Sequence, residues 1–138
     1  MKMVHITVDE RQVFLPEFTA ANVDVRIFPI ALSKIARFNG MTRFFYSVAQ
    51  HSCLVHDMAV VDYGEGSEVA KAALMHDAAE AYLGDVTTPL KRLLPEYWNI
   101  ERTVTQAIRE SLGLSDDPAV WSKVHSYDKM ACNLEAKH

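Results

Sequence analysis

Apolar residues alternate along the start of the chain, at Val4, Ile6 and Val8 and again at Val23, Val25 and Ile27. A period of two predicts extended backbone, and Pro16 and Pro29 interrupt it. Residues 1–28 therefore read as a short extended arm holding one small hairpin. From Pro29 onward the period lengthens to three and four. Leu32, Ile35 and Ala36 share a helical face up to about Phe38, where Asn39-Gly40 ends it. Ser47 and Gln50 form a capping box that opens a helix to about Val61. Ser67 precedes a run to Leu83 stopped by Gly84, and a short turn follows around Leu90–Leu94. Ile100, Val104, Ala107, Ile108 and Leu112 make an amphipathic stripe closed by Gly113. Asp117-Pro118 starts a last helix through Val120, Val124, Ala131 and Leu134. The predicted fold is mostly α: a bundle of about five helices over residues 29–138 with a short extended N-terminal arm.

Composition narrows the class. The 138 residues, 49% hydrophobic and 23% charged, suit one domain rather than a disordered chain. No apolar run reaches the length of a spanning helix, and the first residues lack an apolar signal core. Two distant Cys exclude a disulfide framework, so a cytoplasmic protein with reduced thiols is expected. The formal net charge of −4 speaks against a nucleic-acid polymer as partner. It leaves room for a small anionic ligand. A homo-oligomer stays open.

The chemistry lies in ionisable residues on faces that should be buried. Val69–Leu83 is apolar all round, as in a central helix, yet His76, Asp77 and Glu80 interrupt it together. Buried charges persist when paired or metal-bound. His51 shares its face with Val48, Leu54, Val55 and Met58. Asp128 shares its face with Trp121, Val124, Ala131 and Glu135. Two imidazoles and two carboxylates suit one divalent transition ion such as Co, Mn, Zn, Fe or Ni. No cysteine is assigned to the set; Cys53 and Cys132 read as helix thiols, and Trp98 and Trp121 as core. A second dipeptide, His56-Asp57, is a decoy. At about 100° per residue His56 points about 140° away from His51, which predicts a surface position.

The order His51, His76-Asp77, Asp128 resembles the H…HD…D signature of the HD superfamily of metal-dependent phosphohydrolases. The stretch His76-Asp77-Ala78-Ala79-Glu80, then Gly84-Asp85 and Thr88-Pro89-Leu90-Lys91, is similar to the HDxxE…GD…TPxK segment of bacterial 5′-deoxynucleotidases and small phage nucleotide phosphohydrolases. Ser47–Ser52 matches the same branch, and the resemblance covers roughly residues 30–136. It implies an HD-domain helical bundle with His51, His76, Asp77 and Asp128 as metal ligands. It further implies Glu80 and Asp85 as catalytic acids, Arg37 and Lys91 as phosphate-contacting cations with Arg43 or Arg92 in reserve, and Phe38 beside the nucleoside. Glu135 would support the ligands from behind.

The activity so implied is metal-dependent hydrolysis of nucleotides, removing the 5′-phosphate of deoxynucleoside monophosphates. The alternative enzyme reading is a deoxynucleoside triphosphate triphosphohydrolase of the phage dATPase type, which would act in the host cytoplasm. The non-enzyme alternative is a degenerate HD nucleotide-binding module. Related alarmone hydrolases carry an acidic residue directly after the Glu, where this chain has Ala81.

Overall fold

The computed structural model describes residues 5–7 and 9–137. Val4 and Val8 of the expected alternation lie outside the described residues. The chain begins with a two-stranded antiparallel hairpin, β1 (His5–Ile6) and β2 (Gln12–Val13), with His5 opposite Val13. Two 3-10 turns follow, Leu15–Glu17 and Ala20–Asn22. Thereafter the described chain is mostly helical: α1 (Ile27–Leu32), α2 (Val48–Tyr63), α3 (Glu68–Met75), α4 (Glu80–Leu83), α5 (Thr88–Lys91), α6 (Pro95–Leu112) and α7 (Pro118–Glu135). None of the described helices is long and apolar enough to cross a membrane.

Residues before Pro29 do not stand apart from the helices. Val23, Val25 and Ile27 form no strand: Val23 closes a 3-10 turn and Ile27 opens α1. Val13, Phe18, Ile27 and Phe28 are buried in one cluster with Leu32, Val48, Tyr82, Val104 and Ile108. Tyr82 is the anchor. Its ring meets Phe18 edge-on at 4.8 Å, and its hydroxyl accepts the Asp24 backbone N–H at 3.1 Å. A second cluster, rich in alanine, lies between α2, α3 and α7 and holds Val55, Ala59, Ala70, Ala73, Val124 and Ala131. Small side chains let these three helices approach closely. Val48 belongs to the first cluster and Val55 to the second, so His51, between them on α2, sits at their junction.

Three further expectations differ. The first helix stops at Leu32 rather than near Phe38. The chain then turns extended at Ala36, which bridges Ser47, while the Arg37 N–H donates to the Tyr46 carbonyl at 2.8 Å. These long-range bonds outcompete the local helical pattern and draw Arg37 inward. The helix expected from Ser67 to Leu83 is broken at His76–Ala79. In a continuing helix the Ala73 carbonyl would accept from the Asp77 N–H. Here it takes the His76 N–H at 3.5 Å and His76 Nδ1 at 2.7 Å, and the next bonds tighten to an i to i−3 pattern. Finally, Trp98 is exposed rather than core, its indole N–H donating to the Lys91 carbonyl at 3.0 Å. Trp121 is half-buried and carries the Arg109 guanidinium over its ring at 3.6 Å.

Candidate metal centre

The capping box at Ser47, with Gln50 N–H donating to Ser47 Oγ at 3.1 Å, starts α2 so that His51 falls one turn inside it. His51 is fully buried. From the break after α3 come His76 and Asp77, and from the middle of α7 comes Asp128. The structure brings all four together. His51 Nε2 lies 3.2 Å from His76 Nε2, 2.9 Å from Asp128 Oδ1 and 3.6 Å from Asp77 Oδ2. His76 Nε2 lies 3.2 Å from Asp77 Oδ2 and 3.7 Å from Asp128 Oδ1.

The far side of each imidazole is occupied. His51 Nδ1 is 2.6 Å from Glu135 Oε1, and His76 Nδ1 bonds the Ala73 carbonyl. Both partners are acceptors, so each Nδ1 carries the hydrogen. In neutral rings both Nε2 lone pairs then face each other across 3.2 Å, with a carboxylate oxygen at each. Two ring nitrogens and two carboxylate oxygens, all metal-binding atoms, thus stand close together. Such a set could hold a metal ion, with Glu135 and the Ala73 carbonyl fixing the two rings from behind. Burial opposes a charge on His76, but Asp77 and Asp128 outweigh it and raise its pKa well above the usual histidine value. Burial likewise opposes ionisation of Asp77 and Asp128, and the two histidines overcome it and hold both carboxyls below the ordinary range.

Beside this set opens a cleft of about 320 Å³ lined by Arg37, Phe38, Asp77, Glu80, Asp85, Lys91, Asp128 and Cys132, with residues 86–89. Glu80 is the odd carboxyl there. Its Oε2 is buried without a hydrogen-bond partner among the described residues. Burial, then the charges of Asp77 and Asp85, push its pKa up to about 10. Burial also raises Asp85, with Arg37 and Lys91 pulling the other way. Both expected cations reach the cleft, and each is already held. Lys91 Nζ contacts Glu101 at 2.9–3.0 Å. Arg37, 8% exposed, lies 3.0 Å from Glu135 Oε2 and 3.9 Å from Asp77 Oδ2. Phe38 stands in the left-handed region at φ 53, its ring 5.0 Å from the Arg37 Cζ. Arg43 and Arg92 are exposed and do not line the cleft.

The sequence pattern passed over two contributors. Tyr46 donates its hydroxyl to Glu135 Oε1 at 2.8 Å; as part of an irregular loop it carries no periodic signal. Cys132, read as an ordinary helix thiol, has Sγ 3.5 Å from Asp128 Oδ1 and accepts from an Arg37 NH group at 3.2 Å. His51, Asp128 and Cys132 together could hold a metal ion, as could His51, His76 and Asp77. The i, i+4 spacing of Asp128 and Cys132 was the available signal. His56, half-buried rather than at the surface, pairs with Asp57 and with Glu65 away from this centre.

No family model matches the chain. The uncharacterized protein YfdR of Escherichia coli K12 is 47% identical over 85 residues, which take in 62% of this chain and 44% of YfdR. The uncharacterized protein RCAP_rcc00048 of Rhodobacter capsulatus is 33% identical across 92% of this chain and 68% of its own length. The chain thus spans under half of one relative and about two thirds of the other. On the second match, the chain belongs to the same family as the Rhodobacter capsulatus protein RCAP_rcc00048.

Proposed function

We propose that this protein is a metal-dependent phosphohydrolase of the HD superfamily that removes the 5′-phosphate of deoxynucleoside monophosphates. The observation that carries the reading is the charge of the cleft. Asp77, Asp85 and Asp128, beside a Glu80 that burial keeps protonated, line it against Arg37 and Lys91, both of which already have carboxylate partners. Such a surface repels a phosphate unless a strong positive charge is added, and the His51–His76–Asp77–Asp128 set is built to hold one.

A bound divalent ion supplies Lewis-acid charge for the phosphoryl oxygens and for the attacking water. The chain does the rest. Glu135 and the Ala73 carbonyl keep both imidazoles aimed with Nε2 inward. Glu80 is buried and adjacent; the charge of a bound ion would draw off the proton that burial holds on it, leaving a carboxylate suited to take a proton from the attacking water. Asp85, just beyond the α4 end, is placed to protonate the departing 5′-oxygen. Lys91, at the cleft wall, answers charge on the phosphate. The experiment is product analysis on a panel of deoxynucleoside mono- and triphosphates with Mn²⁺ or Co²⁺. Inorganic phosphate and a deoxynucleoside are expected. Release of intact triphosphate at higher kcat/KM would favour the triphosphohydrolase reading, and metal binding without turnover the binding-module reading.

A further inference from the structure

We propose that the centre offers a second, sulfur-containing ligand set, His51, Asp128 and Cys132, which captures soft divalent ions such as zinc and cadmium. The inference rests on the metal-centre reading above and adds to it a choice between ions.

One ligand atom from each of the three residues lies within 4.8 Å of the others. Asp128 Oδ1 is the shared point, 2.9 Å from His51 Nε2 and 3.5 Å from Cys132 Sγ. Asp128 and Cys132 are i, i+4 on α7, so the helix stacks carboxylate and sulfur on one face, opposite the buried imidazole. An imidazole, a carboxylate and a thiolate are all groups that zinc accepts, and the sulfur favours soft ions over manganese or magnesium. Histidine, aspartate and water satisfy those harder ions without it.

The Arg37 guanidinium donates to Sγ at 3.2 Å and so leaves a cation beside the sulfur. Capture of an ion by the thiol breaks the S–H bond, releases one proton to solvent and forms a sulfur–metal bond, with no change of oxidation state. Cys53, exposed on α2, belongs to no such cluster among the described residues.

The test titrates the full chain with Co²⁺, Cd²⁺ and Mn²⁺. Wild-type protein should give a near-ultraviolet sulfur-to-cobalt charge-transfer band that Cys132→Ser loses and Cys53→Ser keeps. Cd²⁺ affinity should fall in Cys132→Ser on the order of tenfold or more, while Mn²⁺ affinity, which also reports an intact fold, stays unchanged. Identical cobalt spectra and Cd²⁺ affinities in wild type and Cys132→Ser would overturn the second set alone. Equal weakening of Mn²⁺ and Cd²⁺ would do the same, making Cys132 a packing residue. Failure of the wild type to bind any of the three ions would overturn the metal centre itself.

Discussion

Glu135 and His51 meet through a 2.6 Å contact between Oε1 and Nδ1, with the carboxylate side chain only 5% exposed and the imidazole fully buried. One carboxylate thus sets which nitrogen of the ring faces His76, Asp77 and Asp128. Tyr46 and Arg37 in turn fix Glu135, so α7, α2 and the 37–46 loop are tied at one point. Glu135→Gln should weaken Mn²⁺ binding by about 10–100-fold, the usual range for a group that orients a ligand. Tyr46→Phe, which removes one of three contacts, should weaken it less. Isothermal titration of both variants checks the order. Equal affinity for wild type and Glu135→Gln would show that the pair only packs.

The two His-Asp dipeptides should behave differently. His76→Ala removes a donor 3.2 Å from His51 Nε2 and should abolish Mn²⁺ binding. His56→Ala should leave it unchanged, because His56 pairs with Asp57 and with Glu65, which follows the end of α2. Metal content after dialysis separates them. The reverse pattern would place the centre at His56 and overturn the assignment.

The decoy shows how far periodicity reaches. Long capped helices leave strong local signals, and α2, α6 and α7 begin and end close to where Ser47, Gly113 and Asp117 predict. Which face His51 and Asp128 occupy follows from the same arithmetic. What the pattern could not give depends on contacts distant in sequence. The break after Met75 exists because the His76 ring competes for a backbone carbonyl, and a run of alanines conceals it. The extended turn at Ala36 exists because residues 46–48 pair with it. Leu134, expected inward, is exposed, since Glu135 takes the inward place beside His51.

Glu80 allows a pH prediction on the metal-free protein. Its folded pKa of about 10 lies above the ordinary glutamate value, so the folded chain holds a proton that the unfolded chain has lost. Stability from this group is full below the unfolded pKa and falls as pH rises toward 10. Glu80→Gln should remove that decline, leaving the variant more thermally stable than wild type at pH 8–9 in chelator. With metal supplied, the same variant should keep its ion and lose on the order of 10²–10⁴ in kcat, as expected for a proton-transfer group. Full activity would sink the role of Glu80; a parallel pH decline in the variant would sink the stability argument.

Asp24 carries the opposite sign. Bonds from Arg26, side chain and backbone, hold its carboxyl well below the ordinary range, with Arg11 adding to them at 2.5 Å. Its contribution is present above the unfolded pKa and lost as pH falls. Asp24→Asn should lower the Tm at pH 7 and flatten the loss of stability below pH 4. Because Tyr82 also bonds the Asp24 backbone, which the substitution keeps, the core anchor should survive, visible as an unchanged near-ultraviolet circular dichroism spectrum.

Lys91 is the cation whose role is easiest to isolate. Arg37 is bound up with Glu135, Cys132 and Asp77, so its loss would disturb the His–Asp set as well as any bound phosphate. Lys91 has Glu101 as its ion-pair partner, on α6, outside the His–Asp set. If it meets the phosphate, it must exchange that carboxylate for the substrate, and Glu101 then competes with the ligand. Lys91→Met should raise KM for a deoxynucleoside monophosphate on the order of tenfold while changing kcat less, the signature of lost binding in ground and transition states alike. Glu101→Gln should do the reverse, lowering KM by freeing the ammonium. Mn²⁺ affinity should be unaffected in both, because neither residue approaches the histidines. A rise in KM in Glu101→Gln as well as in Lys91→Met would mean that the pair braces α5 against α6, and that the phosphate is met by other groups.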